Sequence, residues 1–110
     1  MDNNEEWRRL VAICRDREAR KSLVARIRRR ANNGRSTIYD RCSVYVEMMW
    51  SRAFLKLRGG IESDRRRYLS LLSCYRRLLL VRLSKRETEV VKKAERYFRQ
   101  SVIKGLIVPC

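Results

Sequence analysis

The chain has 110 residues, the length of a single domain, and its hydrophobic content of 45% excludes a disordered basic tail. Its 28 Lys and Arg against 12 Asp and Glu give a net charge of +16, which indicates a polyanionic partner, nucleic acid first and an anionic membrane second. With four Gly and one Pro, helix breakers are scarce and long helices are expected. We therefore expect one basic helical domain over residues 1–110.

The residues on which catalysis and metal binding most often depend are missing or scattered. There is no His, the four cysteines form no CxxC pair, and no Gly-rich phosphate loop is present. We therefore expect no enzyme activity, no metal site and no cofactor. Cys14, Cys42, Cys74 and Cys110 are expected to be buried or free thiols of a reducing compartment, cytoplasmic or nuclear. The polar start, MDNNEEW, is unlike a secretory signal, and no apolar run approaches the ~18 residues that span a membrane.

The first predicted helix covers residues 4–31. Trp7 and Leu10, then Leu23 and Ile27, follow helical spacing, and Asn32-Asn33-Gly34 is a stop signal. The middle of this helix is almost entirely polar, which allows a break near residues 15–17. From residue 15 to residue 35, nine basic and two acidic side chains give a local charge of +7.

The second predicted helix covers residues 37–58 and is expected to form the core. Thr37 and Asp40 have capping-box spacing, and Gly59-Gly60 ends the helix. Two neighbouring apolar lines cover much of its circumference, as in a helix buried on most sides. Residues 36–64 carry four basic and four acidic side chains, so this segment is neutral.

Two more helices and a tail complete the predicted fold. The third helix covers residues 63–83 and has an apolar stripe that includes Leu79 and Leu80; the fourth covers residues 85–104 and begins with the capping box of Ser84 and Glu87. The tail, residues 106–110, either packs on the body or binds a partner. Short connections favour antiparallel neighbours, so we predict an all-α, four-helix antiparallel bundle. Because a core of this size is small, we expect a homodimer to complete or extend it.

Arginine rows on the first and third predicted helices are the candidate binding site. Arg outnumbers Lys by 22 to 6, and its guanidinium holds phosphate through two hydrogen bonds. Residues 65–82 carry six Arg and no acidic side chain. If the two helices share a side of the bundle, their rows form one basic surface. The predicted nucleic-acid-binding residues are Arg15, Arg26, Arg28, Arg29, Arg30, Arg35, Arg66, Ser70, Ser73 and Arg77. The alternatives are an ordinary solvated face and an Arg excess caused by biased codon usage.

The predicted function is sequence-independent binding of nucleic acid through the phosphate backbone, with duplex RNA favoured over DNA. Signatures of zinc fingers, homeodomains, KH and RRM domains are absent, and the aromatic residues lie on apolar stripes rather than among the arginines, which disfavours stacking on single strands. Two alternatives stay open. One is a helical module that binds a protein or an anionic membrane, and the other is a DNA-binding regulatory factor.

Two resemblances agree with this prediction. In size, helicity and charge the chain resembles the small helical silencing suppressors with which some RNA viruses bind duplex RNA. The string Gly34-Arg35-Ser36-Thr37 is similar to one that lies near the Arg cluster in basic proteins of some filamentous plant viruses, although the cysteine cluster of those proteins is missing here. Both resemblances imply a viral accessory protein.

Overall fold

The computed structural model describes residues 3–29 and 37–109, except for the side chains of Asn3 and Asn4. Within these residues there are five α-helices and no strand, so the all-α class is confirmed. The helices are α1 (Asn3–Arg15), α2 (Arg17–Arg29), α3 (Ile38–Leu57), α4 (Glu62–Leu79) and α5 (Lys85–Ile103). The count of four is corrected, because the first predicted helix is divided into α1 and α2. Its predicted stop, Asn32-Asn33-Gly34, lies outside the described residues.

The division between α1 and α2 falls at Asp16, inside the polar stretch that allowed a break. The Asp16 carboxylate accepts hydrogen bonds from the amides of Glu18 at 3.0 Å and Ala19 at 3.2 Å. These are the bonds of an N-cap, so Asp16 ends one helix and begins the next without a Gly or Pro. On the α1 side the Asp16 amide still donates to the Ala12 carbonyl at 3.1 Å, and this keeps the connection tight.

Both predicted capping boxes are present. At the start of α3, Thr37 and Asp40 exchange backbone-to-side-chain hydrogen bonds of 3.2 Å in each direction. At the start of α5, the Ser84 amide donates to Glu87 at 2.9 Å, and the Glu87 amide donates to the Ser84 hydroxyl at 3.1 Å. The hydrogen bond from the Ser84 amide lowers the pKa of the Glu87 carboxyl. Helix α3 ends before Gly59, whose φ of +72° is favourable only for glycine.

Helix α4 differs from the third predicted helix at both ends. It begins at Glu62 after Ile61, which makes no side-chain cap, so Ser63 is the second residue of the helix and not its start. It ends at Leu79 rather than at residue 83, and the chain turns through Leu80 before reaching Ser84. Leu79 and Leu80 are therefore exposed, and their assignment to the buried stripe is wrong. No Gly or Pro follows Leu79 to mark the end of α4, so the apolar pattern alone extended the predicted helix to residue 83.

Helix α3 is the centre of the fold, as its neutral, broadly apolar sequence predicts. It packs against each of the other four helices described, and every residue from Cys42 to Met48 is buried. Contacts give the directions of its neighbours. Residues later in α2 or α4 meet residues earlier in α3, so α2 and α4 both run antiparallel to α3. The two helices therefore run in the same direction along it.

A buried ion pair at the middle of α3 connects four helices and the tail. Arg20 of α2 and Glu47 of α3 are 0% and 1% exposed, and Nε of Arg20 donates to Oε1 of Glu47. The same guanidinium donates to the backbone carbonyls of Cys14, at 2.7 Å, and Val108. Arg67 of α4 donates to the second Glu47 oxygen at 2.9 Å. Arg20 belongs to the densely basic stretch, but its role is to join structural elements.

The tail packs on the body, which resolves the alternative that the sequence left open. The Ile107 side chain is fully buried in the same core as α1 and α5, while Leu106 and Val108 on either side of it are exposed. Three cysteines, Cys14, Cys42 and Cys74, are buried free thiols, as expected. The fourth, Cys110, lies outside the described residues.

Candidate nucleic-acid interface

Helices α2 and α4 lie on the same side of α3, and this brings the two predicted arginine rows together. At one level, Arg20 and Arg67 bind the two oxygens of Glu47. Further along, Nη2 of Arg28 in α2 donates to the Ser70 hydroxyl in α4 at 2.5 Å. Two independent contacts thus connect the helices along their length. The condition on which the predicted basic surface depended, a shared side of the bundle, is met.

The thiol of Cys74 lies beneath the junction of the two rows. Burial raises its pKa, and the positive charges of Arg77 and Arg28 oppose that rise. Arg77 belongs to α4 and Arg28 to α2, so the charge of an Arg from each helix acts on this thiol. The positive potential near it therefore has a contribution from each row.

Several predicted residues of this surface are accessible to a ligand. The exposed ones in the two rows are Arg26, Arg28, Arg29, Arg66, Ser73 and Arg77, while Ser70 is half-buried beneath Arg28. Arg66 lies 3.9 Å from Glu62 one turn earlier, but both side chains are largely exposed. A pair of this kind contributes between 0 and about 1 kcal/mol, so Glu62 competes only weakly with a phosphate for Arg66.

Arg26 has a partner in the fold. Its Nη2 lies 3.8 Å from Oδ1 of Asp40, the residue that closes the capping box of α3. That oxygen is buried and has no hydrogen bond to any described atom, so the Arg26 charge is its main compensation. About half of the Arg26 side chain is exposed, which leaves it able to meet a ligand as well. Its removal would affect the start of α3, so Arg26 is a poor choice for testing binding alone.

The remaining predicted residues are not brought to this junction. Arg15 is exposed at the end of α1, and most of α2 separates it from Arg28. Arg30 and Arg35 lie outside the described residues. One residue that the prediction omitted, Arg76, is exposed beside Arg77 and next to Ser73 on α4. Arg76 lies three residues after Ser73, and this helical spacing could have added it to the predicted binding residues.

Comparisons with protein-family models, with curated proteins and with solved structures found no match. Function is therefore inferred from the surface itself. Within residues 3–29 and 37–109, no helix combines the length and apolar character needed to cross a membrane. The same part of the chain brings together no group of Cys, Asp and Glu side chains suited to a metal ion.

Proposed function

We propose that this protein binds nucleic acid without reading its sequence, through the basic surface of α2 and α4, and that its preferred ligand is duplex RNA. The observation that carries the proposal is the hydrogen bond between Arg28 and Ser70, because it joins two arginine rows from separate segments of the chain. Guanidinium groups and short hydroxyls are the side chains that hold phosphates in a fixed register. The absence of a base-reading motif from the sequence favours backbone contacts over base contacts.

The dimensions of the surface suit a short length of duplex. Helices of 13 and 18 residues, α2 and α4, are roughly 20 and 27 Å long at 1.5 Å per residue. At about 3.4 Å per base pair, the spacing of B-form DNA, the longer one spans roughly eight base pairs; an A-form RNA duplex is shorter per base pair, so the same helix spans slightly more of it. An RNA duplex of about 20 base pairs therefore covers the surface with both ends to spare and is a suitable probe.

A single strand is less well suited, because aromatic side chains of the fold already pack against one another. Tyr75 of α4 donates its hydroxyl to Glu95 and packs against Tyr45, with ring centroids 5.7 Å apart. Trp7 and Tyr97 pack edge to face between α1 and α5. Sequence-tolerant binding of single strands normally depends on free aromatic faces for stacking. Rigid helices that present guanidiniums instead favour recognition of duplex by shape and charge.

The proposal also includes two expectations from the sequence, an RNA ligand and a viral accessory role. The high ratio of Arg to Lys and the resemblance to small viral silencing suppressors favour RNA over DNA, and a viral accessory role over a regulatory one. A homodimer is part of this proposal, because a twofold repeat would double the length of duplex that the surface covers.

The proposal is tested by fluorescence-anisotropy titration of the RNA duplex at several salt concentrations. Affinity should fall by about 0.7 to 0.9 log units per phosphate contact for each log unit of salt. Arg29→Ala should lower this slope by about one contact and leave the fold intact, since Arg29 is exposed and forms no ion pair with a described residue. Arg99→Ala is the matched control, an exposed arginine on α5 that is likewise outside the described ion pairs.

Three results would count against the proposal in different ways. If the protein binds no nucleic acid at low salt, the function is wrong. If it binds single strands as tightly as duplex, the preference for duplex is wrong. If Arg29→Ala and Arg99→Ala weaken binding equally, the whole charge attracts the ligand and the surface of α2 and α4 is not a defined site.

A further inference from the structure

Helix α4 carries a second, outward-facing apolar stripe beside its arginines. An open groove of about 260 Å³ is lined by Leu69, Leu72, Ser73, Arg76, Arg77 and Leu80. These positions recur every three or four residues, so they lie on one face of the helix. The opposite face enters the core through Leu71, Cys74 and Leu78. Leu72 is half-buried against the core, whereas Leu69 and Leu80 are exposed, so the groove extends beyond the buried stripe.

Two leucines of this groove are exposed in the part of the chain that the structure describes. Leu80 is 85% exposed and Leu69 is 52% exposed. Exposed apolar side chains that line one groove are candidates for an interaction site. A phosphate backbone would not cover them, because it offers no apolar surface, and the groove has no aromatic ring on which a base could stack. Binding of nucleic acid therefore leaves this part of α4 unexplained.

We infer that the groove is a docking site for an acidic amphipathic helix of a partner protein. From Leu69 to Leu80 the stripe is roughly 17 Å long, which matches about three turns of a helix laid alongside α4. Such a helix would place its apolar residues, spaced three and four apart, on the leucines. Its Glu or Asp residues would flank that line and meet the guanidiniums of Arg76 and Arg77.

The positive charge of the groove indicates that the partner helix is acidic. The groove has two arginines and no acidic side chain in its lining, and none of the ion pairs between described residues includes Arg76 or Arg77. The net charge of +16 adds a long-range attraction for an acidic partner. A second copy of this chain is less complementary, because it would bring the same arginines and the same net charge of +16 to the contact.

A synthetic peptide tests the inference without knowledge of the natural partner. The probe is a fluorescent helix-forming peptide of about 18 residues, with leucines on one face and glutamates beside them; its control has the same composition but leucines distributed around the helix. The intact protein should bind the probe at least tenfold more tightly than the control. Leu80→Ser should weaken binding of the probe about tenfold, as expected when a well-packed apolar contact is lost.

The control variant is Leu57→Ser, since Leu57 is 79% exposed but lies at the end of α3, outside the groove. It should bind the probe as the unsubstituted protein does, and circular dichroism should show both variants folded. Equal binding of the two peptides would overturn the inference, because charge alone would then explain the attraction. An equal loss in both variants, or no binding of the probe, would also overturn it. Binding to anionic phospholipid vesicles that depends on Leu80 would assign the groove to a membrane instead. Ser73 and Arg77 are shared with the proposed nucleic-acid surface, so the probe is titrated in the absence of RNA, and failure of one proposal is then distinguishable from failure of the other.

Discussion

Replacement of Arg20 by methionine should destabilise the protein, although Arg20 belongs to the same basic stretch as the proposed binding residues. Methionine keeps most of the aliphatic volume, so Arg20→Met isolates the loss of charge and hydrogen bonds. Removal of one partner from a buried ion pair costs about 3–5 kcal/mol. The carbonyl of Cys14 loses a donor as well, whereas Arg67 still donates to Glu47 and limits the damage. We expect a loss of about 4 kcal/mol, a large share of the roughly 5–15 kcal/mol that holds a domain folded.

The assay is urea unfolding followed by far-ultraviolet circular dichroism, with the slope m compared between variants. Arg29→Ala is the control, because an exposed arginine that forms no ion pair with a described residue should change the free energy of unfolding by less than about 0.5 kcal/mol. The double variant Arg20→Met with Glu47→Leu should recover at least half of the loss, since an apolar pair can replace a buried ion pair of similar volume. A loss below about 1 kcal/mol in Arg20→Met would refute the structural role. If Arg20→Met weakens RNA binding and leaves the stability unchanged, Arg20 is a binding residue and not a structural one.

Two further predictions concern the thiols and the assembly. Burial raises the pKa of Cys14 to about 11, so at a pH near 8 only about 0.1% of this cysteine is thiolate. In a Cys110→Ser variant, a thiol reagent should therefore react slowly with the folded protein and rapidly with the protein in urea. Fast reaction with the folded protein would show that the buried cysteines are accessible. Sedimentation at micromolar concentration should detect a homodimer, and a single monomeric species would remove the dimer from the proposal.

Local sequence signals were sufficient to predict much of the fold. The capping boxes at Thr37 and Ser84 each depend on residues three positions apart, and both are present. The neutral, broadly apolar composition of residues 37–58 predicted that this helix would be the centre. These features are local in the chain, so a single sequence is enough to reveal them.

Features that depend on distant parts of the chain were not predictable. Nothing near Arg20 distinguishes it from Arg17 or Arg29, because its partners Glu47 and Val108 are 27 and 88 residues away. The same is true of the candidate site. The two arginine rows were visible in the sequence, but the hydrogen bond between Arg28 and Ser70 spans 42 residues. The outward position of Leu80 depends on where α4 ends, which no breaker residue marks.

The contact between Arg20 and Val108 has a consequence for the order of folding during synthesis. Residue 20 and residue 47 are made well before residue 108, so Arg20 can meet Glu47 before it can meet the Val108 carbonyl. Until the tail docks, water can reach the part of the guanidinium that later donates to Val108. Full dehydration of this charge therefore waits for closure of an 88-residue separation.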